Sequence, residues 1–212
     1  MTGILFDLDG TLLDTLQDLT DAVNYTLEKY GYPARTLEQI RQAVSNGARN
    51  LIAQSMTGAC DDATVDAALA DYQAYYAVHC QDKTRPYEGV LEVLAQLKEV
   101  CPIGIVSNKP DKAVKHLCAD YFPGIYALGE RADCPRKPAP DMVFAAMKEL
   151  GMDRCIYVGD SDVDIVTANN AKVTCLSVLW GFRDREQLEA AGGTHFCEKT
   201  EDLAAALLQM LQ

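Results

Sequence analysis

The chain has 212 residues, nearly half of them apolar, and a formal net charge of −12. That length buries a large core and suits one domain with an insertion or two small domains, while the acidic balance, with no lysine or arginine cluster to offset it, argues against nucleic acid and anionic membranes as partners. No apolar run approaches the ~18 residues of a membrane span, no signal peptide is visible, so the cytoplasm is expected, and eight scattered cysteines without a C-x-x-C pair read as reduced thiols rather than a zinc site.

The first predicted element is an apolar strand over residues 3 to 7, continued by Asp7-Leu8-Asp9-Gly10-Thr11. A strand has a side-chain period of two, so Asp7 and Asp9 converge on one site while Phe6 and Leu8 face away. Two like charges 4 Å apart cost about 4 kcal/mol at an effective dielectric near 20, which a divalent cation or a proton held on one acid would offset. From residue 15 to about 84 the pattern is helical. Leu16, Leu19, Val23 and Leu27 share one face of a helix ending at Gly31, and Thr36 with Gln39 makes a capping box for a second. Leu51 and Ile52 mark a third, closed by Gly58, and Val65, Leu69, Tyr72 and Tyr76 stripe a fourth begun at Asp62. Asp14 is placed to cap the first of these.

Beyond residue 85, strands near 102–107, 125–128, 155–159, 174–178 and 194–197 alternate with helices at 87–99, 110–121, 141–150, 163–172, 184–191 and 200–211. Alternation of this kind predicts a parallel sheet with crossover helices. The second strand ends in Ser107-Asn108-Lys109, a loop carries Arg136-Lys137-Pro138, and the strand ending at Gly159 runs into Asp160-Ser161-Asp162-Val163-Asp164. His79, His116 and His195 fall on none of these segments and read as structural.

These four segments, in this order, resemble the four motifs of the haloacid dehalogenase-like phosphatase superfamily: Asp-x-Asp-Gly-Thr, a strand-ending Ser, a loop Lys and Gly-Asp-Ser-x-x-Asp. The resemblance implies an α/β fold, a doubly wound Rossmann-like core of residues 1–14 and 85–212, and an all-helical cap of residues 15–84. It implies a phosphatase that hydrolyses a small phosphorylated metabolite through an aspartyl phosphate. Asp7 would be the nucleophile and Asp9 the general acid and base. Asp7, Asp160 and the Asp9 backbone carbonyl would hold Mg²⁺, which prefers oxygen ligands. Ser107, Asn108 and Lys137 would bind the phosphoryl group, with Asp164 and Thr11 orienting these groups from behind. Asp162 occupies a slot that the motif leaves variable and reads as a helix N-terminal acid.

Ser45-Asn46-Gly47-Ala48-Arg49-Asn50-Leu51 resembles the Gly-Asn-Gly-Ala-x-x-Leu cap segment of phosphoglycolate phosphatase-like members, with Ser45 in place of the first glycine. It puts Gly47 and Arg49 forward as residues that meet the leaving group; a helix N-terminus with Arg49 in solvent is the other reading. Trp180-Gly181-Phe182-Arg183 shares the resemblance, whereas Lys172 stands where the family usually has glycine. A β-phosphoglucomutase-type mutase would use the same catalytic residues, and a catalytically silent binding protein on this fold is a third reading. Dehalogenase activity is disfavoured because those members lack the second aspartate. The oligomeric state is not legible.

Overall fold

A strand with every inward and outward position apolar has to be covered on both faces, and β1 (Thr2–Phe6), with Ile4, Leu5 and Phe6 fully buried, lies mid-sheet. A computed structural model describes residues 1–58 and 60–212. It divides the chain into two compact units, Met1–Leu13 with Pro86–Gln212, and Asp14–Arg85.

The first unit carries a six-stranded parallel sheet of β1, β4 (Ile103–Pro110), β5 (Tyr126–Glu130), β6 (Arg154–Gly159), β7 (Thr174–Val178) and β8 (Phe196–Cys197). Their order is β5-β4-β1-β6-β7-β8. The chain winds outward from β1 to β5, then returns beside β1 and winds the other way. That is the doubly wound topology, with its switch point between β1 and β6. Register pairs Phe6 with Ile105 on one side and with Val158 on the other, so Asp7, Ser107 and Asp160 leave the sheet at neighbouring points.

Helices α5 (Val90–Lys98), α6 (Asp111–Tyr121), α7 (Asp141–Glu149), α8 (Asp162–Ala171), α9 (Arg185–Ala190) and α10 (Thr200–Met210) complete this unit. One side of the sheet packs Leu5, Val106, Leu128, Cys155 and Tyr157 against Met142, Val143 and Ala146 of α7 and Ala168 of α8. Each fully buried Leu or Val contributes roughly 1.5–3 kcal/mol. The cysteines among the described residues are free thiols, and burial pushes those of Cys118 and Cys155 up to about 12.

The second unit holds α1 (Leu16–Lys29), α2 (Leu37–Ala43), α3 (Ala48–Ser55) and α4 (Asp62–His79). Helix α1 buries Leu19, Ala22, Val23 and Leu27 and packs on α4, which buries Val65, Ala68, Tyr72 and Tyr76. Thr36 accepts from Gln39 N at 3.2 Å and Gln39 Oε1 accepts from Thr36 N at 2.9 Å, closing the predicted box. The buried Asp18 carboxylate accepts the backbone N–H groups of Lys83 and Thr84 at 2.8–3.0 Å, tying the outgoing chain to α1.

Four local readings change. Short strands β2 (Leu13–Asp14) and β3 (Arg85–Pro86) form a two-stranded ribbon that two residues are too few to signal. Pro86 belongs to it, and α5 starts after Gly89 at φ 82°. Asp14 does not cap α1; Thr15 holds that position, and Asp14 reaches Arg85 at 3.5 Å. Ala68, not the half-buried Leu69, completes the core stripe of α4.

Candidate active site

Three strand ends and one loop assemble the site. After β1 the backbone turns at Gly10, whose φ of 83° favours glycine and whose missing side chain leaves room for Asp160. Gly181, after β7, likewise lies against Asp160, and a Cβ there would collide with its carboxylate. The Asp160 side chain is fully buried and accepts from Thr11 Oγ1 at 2.8 Å and Phe182 N at 2.7 Å. Trp180 Nε1 donates to the Thr11 carbonyl at 3.0 Å, which braces the same turn.

Asp7 is buried, and its Oδ1 accepts from Leu8 N at 2.7 Å and faces Lys137 Nζ at 2.9 Å. Lys137 Nζ also donates to Asp164 Oδ1 at 2.7 Å, so one buried cation lies between two carboxylates. Asp164 spends its second oxygen on three donors at the start of α8, the N–H groups of Asp160 and Ser161 and the Ser161 hydroxyl, at 2.7–3.2 Å. Oxygens of Asp7, Asp160 and Asp164 lie within 4.8 Å of one another.

Burial without enough positive charge sets the protonation of this group. Desolvation, then the neighbouring Asp164, holds the Asp7 carboxyl well above the usual carboxylate range despite Lys137. Asp160 is pushed up to about 7 by the same two causes. Lys137 is raised well above the ordinary lysine value because Asp164 and Asp7 outweigh its own desolvation. The arrangement is short of one cation. Hard oxygen donors, a glycine-lined recess and acids that hold protons too tightly suit a divalent oxygen-seeking ion such as Mg²⁺. The residues fit that ion through Asp7 and Asp160. Asp164 already has its hydrogen bonds filled and would act behind them.

The remaining predicted residues separate. Ser107 is buried at the end of β4, and its hydroxyl accepts from Lys109 N at 3.2 Å. Asn108, expected at the phosphate, clamps the backbone of Lys137, donating to its carbonyl at 2.9 Å and accepting from its N–H at 2.8 Å. Asp162 stands apart from the acid cluster and pairs with Arg183 at 3.1 Å. Gly47, at φ 82°, precedes α3 in the second unit, where Arg49 reaches Asp66 and Asp62 at 2.8 Å each. Ser45 holds a φ of 99°, the conformation glycine would adopt without strain. Lys172, which caps the C-terminus of α8, likewise takes φ 57°.

Two residues escaped the sequence reading. Tyr157, fully buried on β6, sits under Lys137, whose Nζ is 5.7 Å from the ring centre. Lys109 donates to both Asp9 oxygens at 2.8 and 3.0 Å. Its signal was present: a lysine that directly follows an apolar strand run, here with the six residues before it buried, needs an internal partner.

A doubly wound sheet with buried carboxylates, a lysine and a serine at the carboxyl ends of β1, β4 and β6 is the layout of an α/β enzyme. The family model for haloacid dehalogenase-like hydrolases matches residues 4–178. A phosphoglycolate phosphatase of Rhodobacter capsulatus is 35% identical over 190 residues, covering 85% of both chains. Phosphoglycolate phosphatase 1 of Pseudomonas aeruginosa is 31% identical over 211 residues, 94% of this chain and 77% of its own. The crystal structure of a candidate phosphoglycolate phosphatase from Lactobacillus delbrueckii superposes with a TM-score of 0.90 at 36% identity, covering 97% of each chain. The chain belongs to the haloacid dehalogenase-like hydrolases.

Proposed function

We propose that this hydrolase is a Mg²⁺-dependent phosphatase of small phosphomonoesters, phosphoglycolate-like in preference, working through an aspartyl phosphate. The observation that carries the reading is Asp7, buried in a glycine-lined recess beside Asp160 and bonded to Lys137. When bound by Asp7, Asp160 and the Asp9 carbonyl, the ion supplies charge neutralisation for an incoming dianion.

The chain's own groups then divide the work. Among the described residues, the hydrogen bonds of Asp7 fall on Oδ1. That leaves Oδ2 to attack phosphorus as the phosphorus–oxygen bond to the leaving group breaks. Asp9 gives its proton to the departing alkoxide, then takes one from the water that attacks the aspartyl phosphate, so Asp7 is regenerated and inorganic phosphate released. Lys137 and the Ser107 hydroxyl hold the phosphoryl oxygens as charge spreads over them. Asn108 serves through its clamp on Lys137, and Asp164 and Thr11 by fixing Lys137 and Asp160.

The helical insertion of residues 15–84 is assigned the role of cap, with the Asn46-Gly47 turn and Arg49 meeting the leaving group. A short carboxylate such as that of phosphoglycolate suits a guanidinium through charge-assisted hydrogen bonds. The relatives' names support that substrate class. Phosphate release measured over a panel of small phosphomonoesters with Mg²⁺ tests the reading. Preferential turnover of phosphoglycolate is the expected outcome. Conversion of β-glucose 1-phosphate to glucose 6-phosphate faster than phosphate release would replace the phosphatase with a mutase.

A further inference from the structure

Each of the two first-motif acids has its own buried lysine. Lys137 serves Asp7, and Lys109 grips Asp9 through both carboxylate oxygens, at 2.8 and 3.0 Å. The two pairs differ in what they leave open. The Lys109 side chain is 4% exposed, whereas that of Asp9 remains 14% exposed, so the lysine approaches from the protein side and Asp9 keeps an accessible edge. Lys109 is also fixed at its base. Its N–H donates to the hydroxyl of Ser107, two residues back on β4, and that strand is hydrogen-bonded in register beside β1. Asp9 is only half-buried and lies just past the end of β1, outside the sheet ladder and tied by a single bridge to Leu13. Short side chains with open surroundings rotate among rotamers, and an acid–base group that must reach both a leaving oxygen and a water is useful only in one narrow range of positions.

We propose that Lys109 is a positioning residue for Asp9: it fixes the carboxylate relative to the Ser107 hydroxyl, and hence to the phosphoryl group that Ser107 would bind. The inference rests on the reading of Asp9 as the acid and base. Charge gives it a second support. With a divalent ion, Asp7, Asp160, Asp164 and Lys137 sum to zero, so Asp9, once it has given its proton to the leaving group, would leave the site anionic. Lys109 balances that carboxylate while it acts as the base.

The test is a double-mutant cycle with two substrates. Lys109→Met should lower kcat/KM for simple alkyl phosphates by about 10- to 100-fold, part of the 10²–10⁴ that acid–base help supplies. It should lower kcat/KM for p-nitrophenyl phosphate by less than about threefold, because that leaving group departs with little protonation. Lys109→Gln, which keeps an N–H to donate, should retain several-fold more activity on alkyl phosphates and serves if the methionine variant fails to fold. On an Asp9→Asn background, Lys109→Met should cost less than about threefold, since nothing remains to position. Equal losses on both substrates, an undiminished loss on the Asp9→Asn background, or faster turnover in Lys109→Met would each overturn the proposal. An Asp9→Asn variant that keeps full activity would instead remove Asp9 from the acid–base role, an outcome read before Lys109 is touched.

Discussion

The sheet edge and the helical insertion pair their charges at the same distances and in opposite surroundings. Lys137 meets Asp164 at 2.7 Å with both side chains at most 2% exposed, whereas Arg49 meets Asp62 at 2.8 Å with 44% and 90% exposed. Removing one partner of a buried pair costs about 3–5 kcal/mol because the other is stranded in low dielectric. An exposed pair contributes about 0–1 kcal/mol. Distance alone therefore says little about what a contact is for. The sheet edge holds groups whose positions cannot drift, and the insertion holds groups that can leave their partners cheaply, as the role proposed for Arg49 requires.

The comparison breaks most sharply at Asp7. Asp7→Asn should abolish turnover, measured as phosphate release, because an amide cannot form the phosphoenzyme. It should also raise the melting temperature of the metal-free protein, since it removes an acid whose burial is unfavourable while Lys137 keeps Asp164 as its partner and is not stranded. Activity within tenfold of the parent would take the nucleophile role from Asp7. Lys137→Met should be the most destabilising single change at the sheet edge, by about 3–5 kcal/mol in denaturant melts, because Asp7 and Asp164 lose their shared cation. A loss under about 1 kcal/mol, the range of an exposed pair, would erase the contrast drawn above.

A chelator should silence the enzyme, Mg²⁺ should restore it, and Ca²⁺, which takes more ligands at longer distance, should not. The metal's effect on stability carries a sign. The Asp160 carboxyl lies near 7 in the folded protein against an unfolded value of about 3.9, so the folded metal-free state holds that proton the more tightly. Its contribution to stability is full below about pH 4 and is lost as pH rises to about 7. Mg²⁺ needs the ionised acid. The gain in melting temperature on adding Mg²⁺ should then be larger at pH 8 than at pH 5. Equal gains would dissociate Asp160 from metal binding.

The smallest effect is expected in the insertion. Arg49→Ala should lower kcat/KM for phosphoglycolate by about 10-fold or more, or about 1.4 kcal/mol, and leave p-nitrophenyl phosphate within about twofold. Its ion pairs with Asp62 and Asp66 are exposed, so the fold should lose less than about 1 kcal/mol. Equal kinetic losses on both substrates would show that Arg49 acts on cap folding or on the phosphate, and the preference for a carboxylate would fall.

What the sequence made legible follows from range. The six strands of the main sheet and their crossover helices are written in local apolar periodicity; Asp7, Ser107 and Asp160 stand out because a strand presents each to one edge, and the loop residue Lys137 by its place in the order of the motifs. Lys109 against Asp9 and Asn108 against Lys137 join residues 100 and 29 positions apart, and no local pattern encodes which partner a side chain finds. Tyr157 looked like any other core position on an apolar strand. The ribbon of β2 and β3 needed both of its two-residue halves to be seen together. Arg49 was legible as a cation at a helix start, but its choice of Asp62 and Asp66 depends on how α3 packs on α4.

The buried thiols offer a way to time motions that no activity assay reports. Cys118 and Cys155, with thiols near 12, should resist alkylating reagents for as long as α6 and β6 stay packed, because only the thiolate reacts. Cys80 is buried just past the end of α4, in the helical insertion. Mass-resolved labelling of these three cysteines under native conditions would clock the opening of each unit separately. Should Cys80 be captured well before the other two, the insertion breathes while the sheet edge stays shut.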